Sequence, residues 1–342
     1  MPTRIFRGWR ALRGLPRRTV VTIGVFDGVH LAHQRLIRAT VRLAKRLQAA
    51  SVIITFDPDP HHVLDPQHAP PSLMSPSARL QALAALGVDV IWVIPFSRSF
   101  ARLSAKAFTE RFVFRRLRAA AVILGEGFVF GRNRQGTMDT LRQLARQCSV
   151  RVIAVAHVRR QGAVVSSSRI RRLIARGSIS AARSLLGRPP SLEGVVIRGA
   201  GRGAWLGFPT ANIRLIPQAV PPHGVYAVML EDLRRHRRWK GVTPPPVAIR
   251  RRRIASLKRW PLCGHAAGGG VMNFGVRPTF GGGPAVCEVH LFRDPGRLLG
   301  RRVIVWLIAP LRREQRFPSV EALQRQMRHD RARAQRLLAR LH

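Results

Sequence analysis

The stretch "TIGVFDGVHLAHQ", residues 22–34, joins an apolar run to a segment of helical period. It contains a glycine, an Asp-Gly pair and two histidines, His30 and His33. An apolar strand, a short glycine-containing loop and a helix, in that order, are typical of the first unit of a parallel α/β sheet. The stretch therefore predicts the fold of the first half of the chain, and it leaves open what the two imidazoles bind.

Apolar runs and helical stretches keep alternating from about residue 19 to residue 158. The apolar runs are "TVVTIGVF", "SVIITF", "DVIWVIPF", "AAVILG" and "RVIAVAHV". The first helical stretch has its apolar residues on one face: Leu36, Ile37, Leu43, Ala44 and Leu47. A later stretch does the same with Phe108, Phe112 and Leu117. Near-continuous apolar strands that alternate with helices predict a parallel sheet covered on both faces, so we expect a doubly wound, Rossmann-like α/β domain.

The texture of the sequence changes after Gly187. Short apolar runs are punctuated by glycine and proline: "EGVVIRG", "GVYAVML", "VMNFGV", "CEVHLF" and "RVIVWLI". This pattern predicts a small antiparallel barrel or sandwich, with residues 231–270 as an enlarged hairpin loop. Ser319 is expected to cap a closing helix, on which Val320, Leu323 and Met327 share a face. We therefore expect two domains, residues 1–184 and 185–342.

The charge of the chain is extreme, because its 342 residues contain 60 Lys and Arg against 16 Asp and Glu, a net charge of +44. Such a charge attracts any polyanion, nucleic acid included. The excess is spread along the whole chain, and no aromatic-interleaved RNP-like motif accompanies it. We interpret it as mainly compositional, and expect contact with nucleic acid to be non-specific only.

Membrane and redox signals are absent from the sequence. No window of eighteen residues is continuously apolar, so neither a membrane span nor a membrane partner is expected. The cysteines, Cys148, Cys263 and Cys287, have neither metal-ligand nor redox spacing, which fits a reducing cytoplasm. The first eighteen residues are Arg-rich like a transit peptide, but so is the whole chain, and we expect a strand to begin at Arg18 or Thr19.

The two histidines admit three interpretations from the residues alone. A loop after the first strand lies at the carboxyl edge of the sheet, where helix N-termini bind anions, so the imidazoles would suit nucleotide phosphates. Zinc would need one or two further ligands, which spacing does not identify, and packed structural histidines are the third interpretation. The segment "SSSRIRRLIARG", residues 166–177, suits a triphosphate or a Ser-capped basic helix. No P-loop GxxxxGK[ST] is present.

These segments, taken in order, resemble the prokaryotic bifunctional riboflavin kinase/FAD synthetase (FMN adenylyltransferase) family. The resemblance covers nearly the whole chain, with the segments in the family's order. They are "VVTIGVFDGVHLAHQRL", "ITFDPDP", "GEGFVFGRNRQG", "VSSSRIRRLIARG", "LLGRPPSLEGVVIRGAGRGAWLGFPTANI", "PHGVYAV", "NFGVRPTFGG", "CEVHLF" and "LRREQRFPSVEALQRQMRHD".

For the first domain, the resemblance implies a nucleotidyltransferase fold of the HxGH type, which transfers AMP from ATP to FMN and releases FAD and pyrophosphate. His30 and His33 match the HxGH positions, and are implied to be catalytic residues that face the ATP phosphates. Nucleotide-binding residues are implied at Gly24, Phe26, Asp27, Ser167, Ser168 and Arg171. Transfer at phosphorus needs positioning and charge neutralisation more than a covalent group, which agrees with this residue set.

For the second domain, the resemblance implies a kinase that transfers the γ-phosphate of ATP to the 5′-hydroxyl of riboflavin. Thr210 and Asn212 match the positions that hold Mg²⁺ and ATP, and both are uncharged oxygen donors. Glu288 matches the general base, and Gly199 and Gly203 fall in the nucleotide-binding segment. The implied small molecules are riboflavin, ATP, FMN and FAD, with Mg²⁺ as cofactor; a weak homo-oligomer stays open.

The sequence departs from the family at three positions of the first domain. Ala32 replaces the glycine of HxGH, Asp59 replaces a histidine, and Gly127 replaces an Asp or Asn. Pro190 and Leu299 stand where an aromatic ring is frequent. The kinase signatures are better preserved: Thr210, Asn212, Arg277 to Thr279 and Glu288. A kinase with an inactive first domain is therefore the alternative to a bifunctional enzyme, and a basic nucleic-acid-binding protein is the third hypothesis.

Overall fold

A computed structural model gives the fold of the chain. It describes residues 2–8, 14, 18–199, 210–233, 266–275, 286–293 and 296–340. These residues form two compact units. The first contains residues 2–70 and 76–166, and the second contains residues 71–75 and those from residue 167 onward. Residues 167–184, assigned to the first domain from sequence, group with the second unit, and the domain boundary at residue 184 stays a prediction.

The first unit is built on a six-stranded parallel sheet with the order β1-β4-β3-β2-β5-β6. Its strands are β1 (Arg4–Arg7), β2 (Thr19–Ile23), β3 (Ala50–Phe56), β4 (Val90–Ile94), β5 (Ala119–Gly125) and β6 (Arg151–Val155). A short antiparallel pair follows, β7 (Arg159–Arg160) and β8 (Ala163–Val164). The predicted doubly wound α/β domain is confirmed, since the order of the strands reverses on the two sides of β2.

Helices alternate with these strands. They are α1 (Leu31–Arg46), α2 (Pro60–Leu64), α3 (Pro76–Ala85), α4 (Arg98–Ala101), α5 (Ala105–Phe108) and α6 (Met138–Arg146), with a π-helix over Thr109–Arg116 and a 3-10 turn over Arg132–Arg134. On α1 the predicted face is buried at Leu36, Ile37 and Ala44. Phe108, Phe112 and Leu117 are also buried, as predicted, although the pattern does not reveal the π-helical turn.

The apolar runs become strands because they can be buried on both faces. Every residue of β2 and β4 is buried, and successive side chains of a strand point to opposite faces of the sheet. The edge strand β1 is not predicted from sequence. Its four residues "RIFR" hold only two adjacent apolar side chains between two arginines, so they form no apolar run, yet Ile5 and Phe6 are buried where β1 joins β4.

The second unit is a closed antiparallel barrel with the order β10-β13-β12-β11-β14-β9, which confirms the barrel prediction. Its strands are β9 (Ser191–Ile197), β10 (Thr210–Leu215), β11 (Gly224–Asp232), β12 (Ala266–Gly275), β13 (Val286–Leu291) and β14 (Arg302–Arg312). Residues 234–265 of the predicted hairpin insert lie outside the described residues. The strands that flank the insert, β11 and β12, are antiparallel partners, as a hairpin requires.

Helices α7 (Ser167–Ala175), α8 (Ile179–Leu186) and α9 (Val320–Ala339) complete the second unit. Ser319 caps α9 as predicted, because its Oγ accepts a hydrogen bond from the Ala322 amide at 3.2 Å. The predicted apolar face is wrong for Val320, which is 43% exposed. Burial comes instead from the later turns, where Ala334 packs against Val225 and Trp306 of the barrel. None of the described helices combines the length and the hydropathy that a membrane span requires.

Candidate active sites

The loop between β2 and α1 lies where the strand order of the sheet reverses, because β2 has β3 on one side and β5 on the other. Ligands of open α/β sheets bind at such a point, outside the carboxyl ends of the strands. The Gly24 amide donates to the Ile54 carbonyl at 3.1 Å, and a Cβ on Gly24 would lie 3.0 Å from the Phe26 ring. The absence of a side chain on Gly24 therefore leaves room for the buried Phe26 ring.

His30 and His33 lie together at the N-terminus of α1. The two rings are stacked, with centroids 3.6 Å apart and planes 17° apart. His30 is only 4% exposed and caps the helix, because its Nδ1 accepts a hydrogen bond from the His33 amide at 3.4 Å. Since Nδ1 is the acceptor, a neutral His30 carries its proton on Nε2. That N–H and the helix N-terminus both favour an anion.

The zinc interpretation finds no support in this part of the chain. Within the described ranges, no three or more His, Cys, Asp or Glu side chains are grouped so as to hold a metal ion. The stacked arrangement also differs from a pair of ligands that point at one ion. The geometry gives the zinc interpretation no support, and the phosphate and structural interpretations of the histidines both stay predictions.

The three departures of the first domain have identifiable structural positions. Asp59 caps α2, because its Oδ1 accepts a hydrogen bond from the His61 amide at 2.9 Å. Gly127 has a φ of 73°, in the left-handed region that Asn and Asp also tolerate. Ala32 is half-buried on the first turn of α1. His61, two residues after Asp59, is exposed, and its Nδ1 lies 3.1 Å from the Asp59 Oδ1.

The second phosphate signature lies at the start of α7, in the other unit. Ser167 is half-buried and Ser168 is exposed. Arg171 donates from its Nε to the Pro71 carbonyl at 2.7 Å, so at least one of its donors is engaged in a hydrogen bond within the protein. The roles of these three residues in nucleotide binding stay predictions.

An aromatic cluster at the carboxyl ends of β3 and β4 was not singled out from sequence. Phe56, Phe96 and Phe100 are half-buried, and their ring centroids lie 5.5 to 6.1 Å apart. In the sequence each appears as an ordinary apolar residue near the end of a run. Phe56 and Phe100 also pack against the core of the first unit, so the sequence pattern alone does not distinguish them from core residues.

The barrel carries its polar site on the outer face of β10 and β13. Alternation places Ile213 and Cys287 in the barrel core, which turns Asn212 and Glu288 outward, directly opposite each other. Burial, followed by the charge of Glu288, raises the pKa of the Cys287 thiol to about 12. On the next strand Asn273 is the cross-strand partner of Glu288 and extends the row.

Two residues from the pair of Asn212 and Glu288, Thr210 on β10 is directly opposite His290 on β13. His290 is buried and lies two residues from Glu288, on the same face of the strand. The structure thus brings together three residues predicted from sequence, Thr210, Asn212 and Glu288, and adds His290 to them. The alternation of Glu288 and His290 with apolar residues in "CEVHLF" is the sequence signal that could have identified His290.

Gly199 lies against the amide of Asn212. A Cβ on Gly199 would overlap the Asn212 side chain, whose Cγ would be 2.5 Å away. Gly199 is therefore a close backbone neighbour of Asn212, and its role in nucleotide binding stays a prediction. Gly203 and the Arg277 to Thr279 segment lie outside the described residues.

The family comparisons match both units. Residues 13–169 match the FAD synthetase family model, and residues 186–338 match the riboflavin kinase family model. A bifunctional riboflavin kinase/FMN adenylyltransferase of Pseudomonas fluorescens is 34% identical over 337 residues, which covers 98% of both chains. The protein of the same description from Escherichia coli K12 is 31% identical, over 96% of this chain and 95% of its own.

Among solved structures, a crystal structure described as a macrolide-efflux protein of Streptococcus pneumoniae is similar over 93% of each chain. The TM-score is 0.76 and the sequences are 28% identical. The two family models together span most of the chain. The two curated relatives match it over nearly its full length. The chain belongs to the bifunctional riboflavin kinase/FMN adenylyltransferase family.

Proposed function

We propose that the β2–α1 loop of this chain is the site of adenylyl transfer from ATP to FMN. The observation that carries this proposal is the stacked pair of His30 and His33 at the N-terminus of α1, at the switch point of the sheet. A phosphate oxygen of FMN attacks the α-phosphorus of ATP, and the bond to pyrophosphate breaks. The Nε2–H of His30 and the helix N-terminus stabilise the negative charge of the transferring group.

The flavin ring of FMN has a suitable neighbour in the first unit. Phe56, Phe96 and Phe100 present a half-buried aromatic surface at the same edge of the sheet. Aromatic surfaces of this kind pack well against a flat conjugated ring. We assign this cluster as the contact for the isoalloxazine ring, which leaves the polar loop for the phosphates.

In the barrel, Glu288 is proposed to be the general base for phosphorylation of riboflavin. A carboxylate accepts the proton of the 5′-hydroxyl, whose oxygen then attacks the γ-phosphorus of ATP as ADP leaves. Glu288 is opposite Asn212 and two residues from the buried His290, so strand pairing fixes its position. A base on a strand is held more precisely than one on a loop.

The barrel residues fit a magnesium ion. The Oδ1 of Asn212 is buried and has no hydrogen-bond partner in the described part of the chain, so an oxygen ligand is left over beside Thr210. Mg²⁺ is bound by few protein oxygens together with nucleotide phosphates and water. Thr210 and Asn212 would hold it, and when bound it would neutralise charge on the ATP phosphates.

The products distinguish the two reactions from their alternatives. With Mg-ATP and FMN, the expected products are FAD and pyrophosphate, without ADP. With riboflavin, ADP appears as well. Formation of ADP without any pyrophosphate would support a kinase with an inactive first domain, and would contradict our assignment of the histidine loop.

Gly199→Ala is expected to weaken magnesium binding in the kinase reaction selectively. The new methyl group displaces the Asn212 amide, so the Mg²⁺ concentration for half-maximal riboflavin phosphorylation should rise about tenfold, as for other residues that support metal ligands. The measurement is the phosphorylation rate across a Mg²⁺ titration.

Gly125→Ala is the matched control, because a Cβ there has no atom within 4 Å. Its riboflavin phosphorylation should equal that of the unmodified protein. An unchanged Mg²⁺ titration for Gly199→Ala would remove Asn212 from the metal site.

The remaining predictions concern surroundings of the enzyme. A cytoplasmic location, a weak homo-oligomer and non-specific contact with nucleic acid stay predictions of the sequence. The charge of +44 makes the last of these testable, since purely electrostatic binding falls steeply with salt.

A further inference from the structure

Arg79 is a charged residue of the first unit that the proposed roles above do not use. It lies on α3 and is only 7% exposed. Removing a guanidinium from water is costly unless carboxylates and hydrogen bonds compensate it. Its environment therefore has to contain that compensation, and the position of the compensating groups indicates what Arg79 does.

The contacts of Arg79 place it at the ligand-binding edge of the sheet. Its Nη2 donates to the carbonyl of Phe56 at 2.7 Å, and Phe56 is the last residue of β3. Its Nε is buried, without a hydrogen-bond partner among the described residues. Because β2 and β3 are parallel neighbours, their carboxyl ends meet at one edge, where the loop with His30 also begins.

Three carboxylates act on this guanidinium. Burial lowers the pKa of Arg79, whereas Asp27, Asp57 and Asp59 raise it. Arg7 is the second cation of the group and pairs with Asp57 at 3.2 Å. Three negative charges thus face two positive ones, directly beside the loop that is assigned to the ATP phosphates.

We propose that Arg79 is a positioning residue for adenylyl transfer, which neutralises these carboxylates and fixes the end of β3 so that the ATP phosphates can approach His30. This inference rests on the proposed role of the His30 loop. Without Arg79 the phosphates would meet a local excess of two negative charges, since only Arg7 would remain to balance the three carboxylates. Such an excess penalises binding of an anion more than it changes the chemical step.

Arg79→Met is expected to raise the KM for ATP in FAD formation about tenfold, with a smaller change in kcat, because an uncompensated charge acts on binding. Arg79→Lys keeps the charge and should recover most of the affinity. Phosphorylation of riboflavin, measured on the same samples, should not change. Arg46→Met, an exposed arginine in the last turn of α1, is the matched control and should behave like the unmodified protein.

A second variant separates charge compensation from packing. Asp59→Asn removes one carboxylate and keeps the cap of α2, since Asn caps helices as well as Asp does. Combined with Arg79→Met, it should lower the KM for ATP again by about threefold or more. A purely structural role of Arg79 predicts no such rescue, because the deleted side chain is still missing.

The inference is overturned if Arg79→Met leaves the KM for ATP unchanged, or if neither lysine nor Asp59→Asn restores it. Should Arg79→Met fail to unfold cooperatively on heating, Arg79→Gln with and without Asp59→Asn gives the same comparison. Failure of the underlying proposal is recognised separately, because His30→Asn would then form FAD at the normal rate.

Discussion

Glu288→Gln abolishes phosphorylation of riboflavin and leaves adenylylation of supplied FMN intact. Glutamine has nearly the shape of glutamate but cannot accept the hydroxyl proton, so we expect the phosphorylation rate to fall by about 10²–10⁴-fold, the usual contribution of a general base. Its cross-strand neighbours Asn212 and Asn273 keep their places in the sheet. Chromatography of the flavins formed from riboflavin and from FMN measures both rates.

Glu321→Gln is the matched control for this result. Glu321 is exposed in the first turn of α9, in the same unit, and neither rate should change when its charge is removed. Glu288→Ala should act in the same direction as Glu288→Gln. If both activities were lost together, the two reactions would not have separate sites.

His30→Asn is expected to have the second large effect, which is the reverse of the first: FAD formation is lost and phosphorylation of riboflavin is kept. Asparagine is a good helix N-cap and keeps the start of α1, but it removes the imidazole for which we propose a role at the phosphates. We expect kcat for FAD formation to fall by about 10²–10³-fold, as for loss of one donor to a developing charge. Phosphorylation of riboflavin should continue at the normal rate, so FMN accumulates.

His61→Asn provides the comparison, because His61 is an exposed histidine of the same unit that pairs with the Asp59 cap. FAD formation should change little in this variant. An unaffected rate in His30→Asn would show that the stacked histidines have no part in the transfer, whatever their place in the fold.

Much of the fold follows from the period of the apolar residues. Strands β2 to β5 are apolar runs because a parallel sheet buries them on both faces, and the apolar face of α1 follows the same physics. The apolar run of β6 lies at the edge of the sheet and is partly exposed. The strands that the period of the apolar residues does not predict are β1 and β10. In the edge strand β1 two arginines flank only two apolar residues, and β10 appears in the sequence only as the motif "GFPTAN".

The site residues also fall into two groups, those that the sequence predicts and those that only the structure reveals. His30 and His33 are three residues apart, so a helix brings them to one face, and Glu288 is found through the family motif. Asn273 and Arg79 are missed because their roles depend on strand pairing and on a helix packed behind the sheet, which distances in sequence do not encode. Arg79 is one arginine among many in a chain of net charge +44, and the sequence gives no sign that it is buried.

Two of the three departures, Asp59 and Gly127, also acquire physical meaning in the structure. Asp59 replaces a histidine but caps α2, and Gly127 occupies a left-handed position where an Asn or Asp is also tolerated. Neither change disturbs the stacked histidines, which lie on a different loop. These positions are therefore compatible with an active first domain.

The measurement that tests the central claim most directly is chromatography of the flavins formed by three proteins: the unmodified chain, His30→Asn and Glu288→Gln. Each is incubated with Mg-ATP and either riboflavin or FMN. The account predicts that the unmodified chain converts both flavins to FAD, that His30→Asn stops at FMN, and that Glu288→Gln forms FAD from FMN alone. An unmodified chain that forms FMN but no FAD, or a single substitution that removes both reactions, would contradict it.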